Sequence, residues 1–157
     1  MKTRRARSLS PSRRRVVLGI AAIAVARALP VQADATALPQ IGELDAYLAG
    51  RKPEFGRLVL DVPRLADNGN AVPLRLAMGG FTPGAELKSI RLYSERNPVP
   101  LMARFEFPSA VPKVEVDARI RLAGTQRIAA VAELANGDLH AAVAEISVTI
   151  SACLDGS

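Results

Sequence analysis

The side chain best suited to covalent chemistry is Cys153, the sole cysteine of this 157-residue chain. It sits near the C-terminus in Ser151-Ala152-Cys153-Leu154-Asp155-Gly156-Ser157, directly after the β-patterned Ile146-Ser147-Val148-Thr149-Ile150. Without a second cysteine, the sulfur of an exported protein either pairs between chains, stays free or carries something. A thiol of ordinary pKa, about 8.5, is a few per cent thiolate at neutral pH. That suffices for slow disulfide exchange or for capture of an activated sulfur species. Asp155, two residues on, opposes ionisation, so activation must come from another protein. The competing reading makes Cys153 a small buried hydrophobe closing the last strand. Against it, Asp155, Gly156 and Ser157 form a tail that favours water.

Other reactive residue types give little. The single histidine, His140, has no metal-ligand spacing around it and reads as a strand-surface or partly buried residue. Gly79-Gly80 lacks the GxxxxGK pattern and following helix of a phosphate loop. The alternating Glu115, Asp117, Arg119 and Arg121 read as a solvated strand face, and no nucleophile elbow supports a Ser/His/Asp triad. The expectation is therefore no catalytic residue, no cofactor and no metal site, with Cys153 alone as a point of covalent attachment.

The elements that must present this sulfur begin after a leader. Residues 1–33 read as an export signal, with Arg14-Arg15 as a twin-arginine motif and a weakly apolar stretch from Val16 to Ala26. A Sec signal with a basic start is the alternative. That stretch is shorter than the roughly 20 apolar residues a membrane span requires. Cleavage is expected after Ala33, within Val31-Gln32-Ala33, or after Ala35. The expected location is the periplasm, with no membrane attachment once the signal is removed.

Charge changes meaning once the leader is set aside. The whole chain carries +6, but 8 of its 21 Lys and Arg lie in residues 1–33, where there is no acid. In the remainder 13 basic residues face 15 acidic ones, a net charge of −2. A nucleic-acid partner is therefore not expected, and aromatic residues are too sparse for a base-stacking platform.

Residues 34–55 read as a lead-in and a short amphipathic helix, with Ile41, Leu44, Tyr47 and Leu48 at helical spacing and Gly50 as the stop. Residues 56–150 read as strands separated by turns: 57–62, 72–78, 89–93, 101–107, 114–122, 127–134 and 138–150. Asp67-Asn68-Gly69-Asn70 reads as a turn, and Asn136-Gly137 as a hairpin. The Ala-rich run 128–134 has helical propensity, but the Asn-Gly turn and the β-branched return strand favour β. About seven strands at this spacing point to an all-β, immunoglobulin-like sandwich with a short N-terminal helix. Residues 151–157 form the C-terminal arm.

Several segments together resemble the SoxY family of sulfur-compound carriers from the periplasmic thiosulfate-oxidising system. They are Asp67-Asn68-Gly69-Asn70-Ala71-Val72-Pro73-Leu74, Lys88-Ser89-Ile90-Arg91-Leu92-Tyr93, Asn97-Pro98-Val99-Pro100 and Ala103-Arg104-Phe105. Arg119-Ile120-Arg121-Leu122-Ala123-Gly124-Thr125-Gln126, Ala132-Glu133-Leu134-Ala135-Asn136-Gly137 and Val148-Thr149-Ile150 complete the set. The resemblance implies an immunoglobulin-like sandwich paired with a SoxZ-like subunit, and sulfur-oxidation enzymes that dock on the arm. It implies that Cys153 holds the covalent sulfur intermediate and that the chain is a carrier rather than an enzyme.

In SoxY the arm reads GGCGG, whereas here Ser151-Ala152 and Leu154-Asp155-Gly156 flank the cysteine. The tail is similar to that of SoxY-related proteins with an AACIE-type arm. Paired glycines bend freely; these replacements make the arm stiffer, bulkier and charged. The expectation is a carrier that serves different enzymes or a different sulfur cargo. The alternative is an exported interaction module of a redox complex, such as a quinoprotein dehydrogenase, whose cysteine carries no cargo.

Overall fold

The computed structural model describes residues 37–108 and 110–152. Arg14, Arg15 and the rest of the leader lie outside the described residues, as do Cys153, Leu154, Asp155 and Gly156.

Helical spacing of apolar residues produces helix α1, Gly42–Leu48, which buries Leu44 and Leu48. Ala49 stops it in the left-handed region at φ 49°, and its N–H donates to the Asp45 carbonyl. The strands are β1 (Glu54–Phe55), β2 (Val59–Asp61), β3 (Leu65–Asn68), β4 (Val72–Gly79), β5 (Leu87–Ser94), β6 (Leu101–Glu106), β7 (Lys113–Ile120), β8 (Gln126–Leu134) and β9 (Leu139–Ile150). A 3-10 turn, Gly69–Ala71, leads into β4. Among the described residues, no helix is long and apolar enough to cross a membrane.

The fold is an immunoglobulin-like β-sandwich. The larger sheet runs β1-β9-β8-β5-β6, with β3 also pairing with β9, and the smaller runs β2-β4-β7. Period-two alternation buries Val72, Leu74, Leu76 and Met78 of β4 against Ile90 and Leu92 of β5, Ile128 and Ala130 of β8 and Ile146 of β9. On the other face of the large sheet, Tyr93, Ala129, Val131 and Ala141 receive Leu44 and Leu48 of α1 and Ile41 just before it. The result is three layers: helix, sheet, sheet. Central strand β8 is covered on both faces, so nearly every residue from Ile128 to Leu134 is buried. That explains its alanines. Small side chains let α1 and the small sheet both approach closely, and this packing overrides helical propensity.

Among the described residues there are nine strands, against the expected number of about seven. The additions, β1 and β3, are short and pair in parallel with successive halves of β9. The stretch Asp67–Asn70 divides: Asp67 and Asn68 end β3, and only Gly69 and Asn70 turn. Asn68 Oδ1 accepts from the Asn70 N–H at 2.9 Å and shapes that turn. The Glu115-Asp117-Arg119 face of β7 is exposed, and Arg75 pairs with Glu115 across it at 2.9 Å.

Candidate functional site

The candidate site is the end of the sandwich where β9 delivers the chain to its last described residues. β9 stays paired to its end, with Ile150 opposite Asn68 of β3. Ser151 beyond it is exposed, but Ala152 is buried at 6% exposure. The Ala152 N–H donates to the Leu122 carbonyl at 3.0 Å, and the Leu122 N–H donates to the Gly69 carbonyl at 2.9 Å. These two bonds continue the β4–β7 ladder past Val72 and Ile120 and hand it on to the end of β9. Gly69 is packed so tightly here that an added Cβ would lie 2.4 Å from the Leu122 oxygen and 2.9 Å from the Ala152 nitrogen. Both are backbone atoms. Glycine at 69 is a requirement of close approach.

The segment that supplies the Leu122 carbonyl is held by a buried polar network. Gln126, 3% exposed, accepts from Ser94 Oγ at 2.6 Å and from the Arg96 N–H at 2.9 Å through Oε1. Its Nε2 donates to Asn97 Oδ1 at 3.1 Å and to the Gly124 carbonyl at 3.2 Å. Asn97 grips the strand end on both sides of Leu122: Nδ2 donates to the Arg121 carbonyl at 2.8 Å, and Oδ1 accepts from the Ala123 N–H at 3.0 Å. Arg96 donates to the Thr125 carbonyl at 3.0 Å, and Thr125 Oγ1 accepts from the Val148 N–H of β9 at 2.9 Å. Nearby, Arg127 hydrogen-bonds Glu95 at 3.0 Å and holds that carboxyl below the usual carboxylate range.

Four of the segments that resemble SoxY therefore meet here: 67–74, 97–100, 119–126 and 148–150. The other three lie elsewhere in the large sheet, on β5, β6 and the β8–β9 hairpin. Of the arm residues singled out from sequence, Ser151 and Ala152 are placed at this end of the sandwich. Cys153, Leu154, Asp155 and Gly156 lie outside the described residues.

His140 is buried at 4% exposure, with Arg57 Nη1 at 3.5 Å and Glu54 at 3.8 Å. Among the described residues, no group of three His, Cys, Asp or Glu side chains is placed to hold a metal ion. Sequence reasoning missed Gly69, Leu122, Asn97 and Gln126 as a functional set. The latch bonds themselves are main chain to main chain, so within the latch only the glycine departs from what any residue could supply, while Asn97 and Gln126 act through their side chains.

The pattern of a known protein family, described as "Sulfur oxidation protein SoxY", matches residues 44–153, from α1 through the cysteine itself. The chain belongs to the SoxY family. SoxY membership supports a carrier role in sulfur oxidation. No curated protein matches the sequence significantly. Solved structures with some likeness include a superoxide reductase (neelaredoxin) from Ignicoccus hospitalis, 19% identical, with a TM-score of 0.46, covering 59% of this chain and 80% of that one. A putative superoxide reductase from Thermotoga maritima is 14% identical, with a TM-score of 0.46, covering 62% and 88%. The superoxide reductase from Nanoarchaeum equitans is 15% identical, with a TM-score of 0.42, covering 60% and 99%. At these TM-scores the likeness carries no functional meaning.

Proposed function

We propose that this SoxY-family chain is a periplasmic carrier that holds a covalent sulfur intermediate on Cys153 and acts with a SoxZ-like subunit. The observation that carries the reading is that the family match extends to Cys153, one residue past an anchored chain end. The leader with Arg14-Arg15 supports export, and the absence of a second cysteine leaves the thiol without an intramolecular partner.

Loading a thiosulfate-type cargo joins the cysteine sulfur to the sulfane sulfur. The thiol loses one proton, and two electrons leave as the S–S bond forms. An electron-accepting enzyme must therefore perform the step, and the carrier supplies the nucleophile. Enzymes of the sulfur-oxidation system would dock on the arm to load and unload it. A partner subunit suits the sandwich, because β6 and β7 each present an edge without a strand neighbour among the described residues. Between these edges Leu101, Met102 and Phe105 line a cleft with Ala118.

Intact mass spectrometry of the mature protein from its native periplasm tests the reading. The expected result is a sulfur-containing adduct that reductant removes and that Cys153→Ser lacks. A permanently bare thiol in cells actively oxidising sulfur compounds would overturn it. The alternative, an interaction module whose cysteine carries nothing, draws on the missing arm glycines. It would show a stable partner together with that bare thiol.

A further inference from the structure

We infer that Gly69 is a positioning residue for the carrier thiol: it lets the Ala152 N–H reach the Leu122 carbonyl and so fixes where the arm leaves the sandwich. The inference rests on the carrier reading for its purpose, while the latch itself stands on geometry. Ala152 is buried, its N–H bond to Leu122 measures 3.0 Å, and no side chain fits at residue 69 without displacing one of the two partners. Asn97 and Gln126 hold the acceptor side of the latch in place.

The latch sets the reach of the sulfur. An extended chain advances roughly 3.5 Å per residue. Counted from Ile150, where strand pairing ends, Cys153 would travel about 10 Å from the body. Counted from Ala152, it travels about one residue, roughly 3.5 Å. While the latch is closed, an enzyme that takes the thiol meets the rim of the sandwich, including the 121–126 segment that supplies the Leu122 carbonyl. Burial of Ala152 thus adds a geometric cause to the change in arm sequence: the residue immediately before the cysteine is part of the body.

Two readouts on the full-length mature protein test this. The first is hydrogen exchange at the Ala152 amide. The second is the mobility of a nitroxide label attached through a disulfide to Cys153, the only cysteine available. The wild type is expected to protect the Ala152 amide at least about tenfold and to give a slow-motion label spectrum. Gly69→Ala should abolish that protection and sharpen the spectrum. Ala152→Pro, which removes the donor, should sharpen it equally while lowering the melting temperature less than Gly69→Ala does. Ala152→Gly keeps the N–H and should remain close to wild type in label mobility.

An unprotected Ala152 amide in the wild type, or a label already as mobile there as in Ala152→Pro, would overturn the inference. Should Gly69→Ala fail to fold, Ala152→Pro decides alone. A bare thiol in the native mass measurement would sink the carrier reading without altering either readout.

Discussion

The phenol of Tyr47 donates to Glu133 Oε2 at 2.7 Å, tying helix α1 to central strand β8 across 86 positions of sequence. Arg91 lies over the Tyr47 ring, 3.7 Å from its centroid, while Lys88 and Arg51 approach Glu133 at 3.3 and 3.9 Å. Burial and the hydrogen bond to Glu133 push the Tyr47 phenol up to about 12. Tyr47→Phe is expected to cost about 1–2 kcal/mol in chemical denaturation, because it removes a hydrogen bond to a charged acceptor. The same variant should abolish a late phenolate transition near 12 in alkaline titration. Since the folded pKa lies above the ordinary 10.0, the associated stability is complete below 10 and is lost as pH rises toward 12. A Tyr47 that titrates early would contradict the contact.

On the acid side the same pair reverses sign. Burial opposes ionisation of Glu133, but the hydrogen bonds from Tyr47 and Lys88 and the charges of Lys88 and Arg51 together outweigh it, so its carboxyl is lowered. A lowered folded pKa gives stability that is present above the ordinary 4.5 and is lost as pH falls through the folded value. Glu133→Gln should therefore flatten the decline of stability below 4.5, read as melting temperature against pH. An unchanged acid limb would show that Glu133 is already solvated.

Most of the sandwich was legible because its strands obey simple alternation. Val72, Leu74, Leu76 and Met78 alternate with other residues in the sequence, and all four are buried. Strand β3 escaped because Leu65-Ala66-Asp67-Asn68 buries only Ala66, and its partner β9 lies some eighty positions away in the chain. Asp and Asn there advertise a turn, and parallel pairing leaves no local mark. Cys153 was legible by being alone. Its anchor was not, because an N–H from Ala152 and a carbonyl from Leu122 are groups every residue has. Only Gly69 departs from the ordinary, and a glycine beside asparagines reads first as turn chemistry.

The alanines of β8 make a separate prediction about packing. Ala130 and Ala132 face the small sheet, Ala129 faces α1, and all three are fully buried. Ala130 sits between Leu92 of β5 and Ala142 of β9. Ala130→Leu is expected to destabilise by about 1–3 kcal/mol, since the two layers have no room to separate independently. Urea unfolding would measure it, and a neutral result would mean that the sheets yield at this point.

The Gln126 network yields the prediction closest to the site. Truncating Gln126 to alanine strands Ser94 Oγ and the Arg96 N–H as donors, and Asn97 Oδ1 and the Gly124 carbonyl lose a partner. A loss of about 2–4 kcal/mol follows, because groups beside a buried amide regain little water. Asn97 would keep its bonds to Arg121 and Ala123 but lose its own support, so the acceptor Leu122 should become less fixed. Hydrogen exchange separates this local effect from general weakening. In Gln126→Ala the Ala152 amide should accelerate more than a core amide such as Ile90, which reports global opening. Gln126→Glu keeps the acceptor Oε1 but replaces the donating amide nitrogen with a carboxylate oxygen against Asn97 Oδ1, so it should loosen Ala152 more at neutral pH than under mildly acidic conditions. Equal acceleration at Ala152 and Ile90 in both variants would mean that the network stabilises the fold as a whole and does not brace the arm.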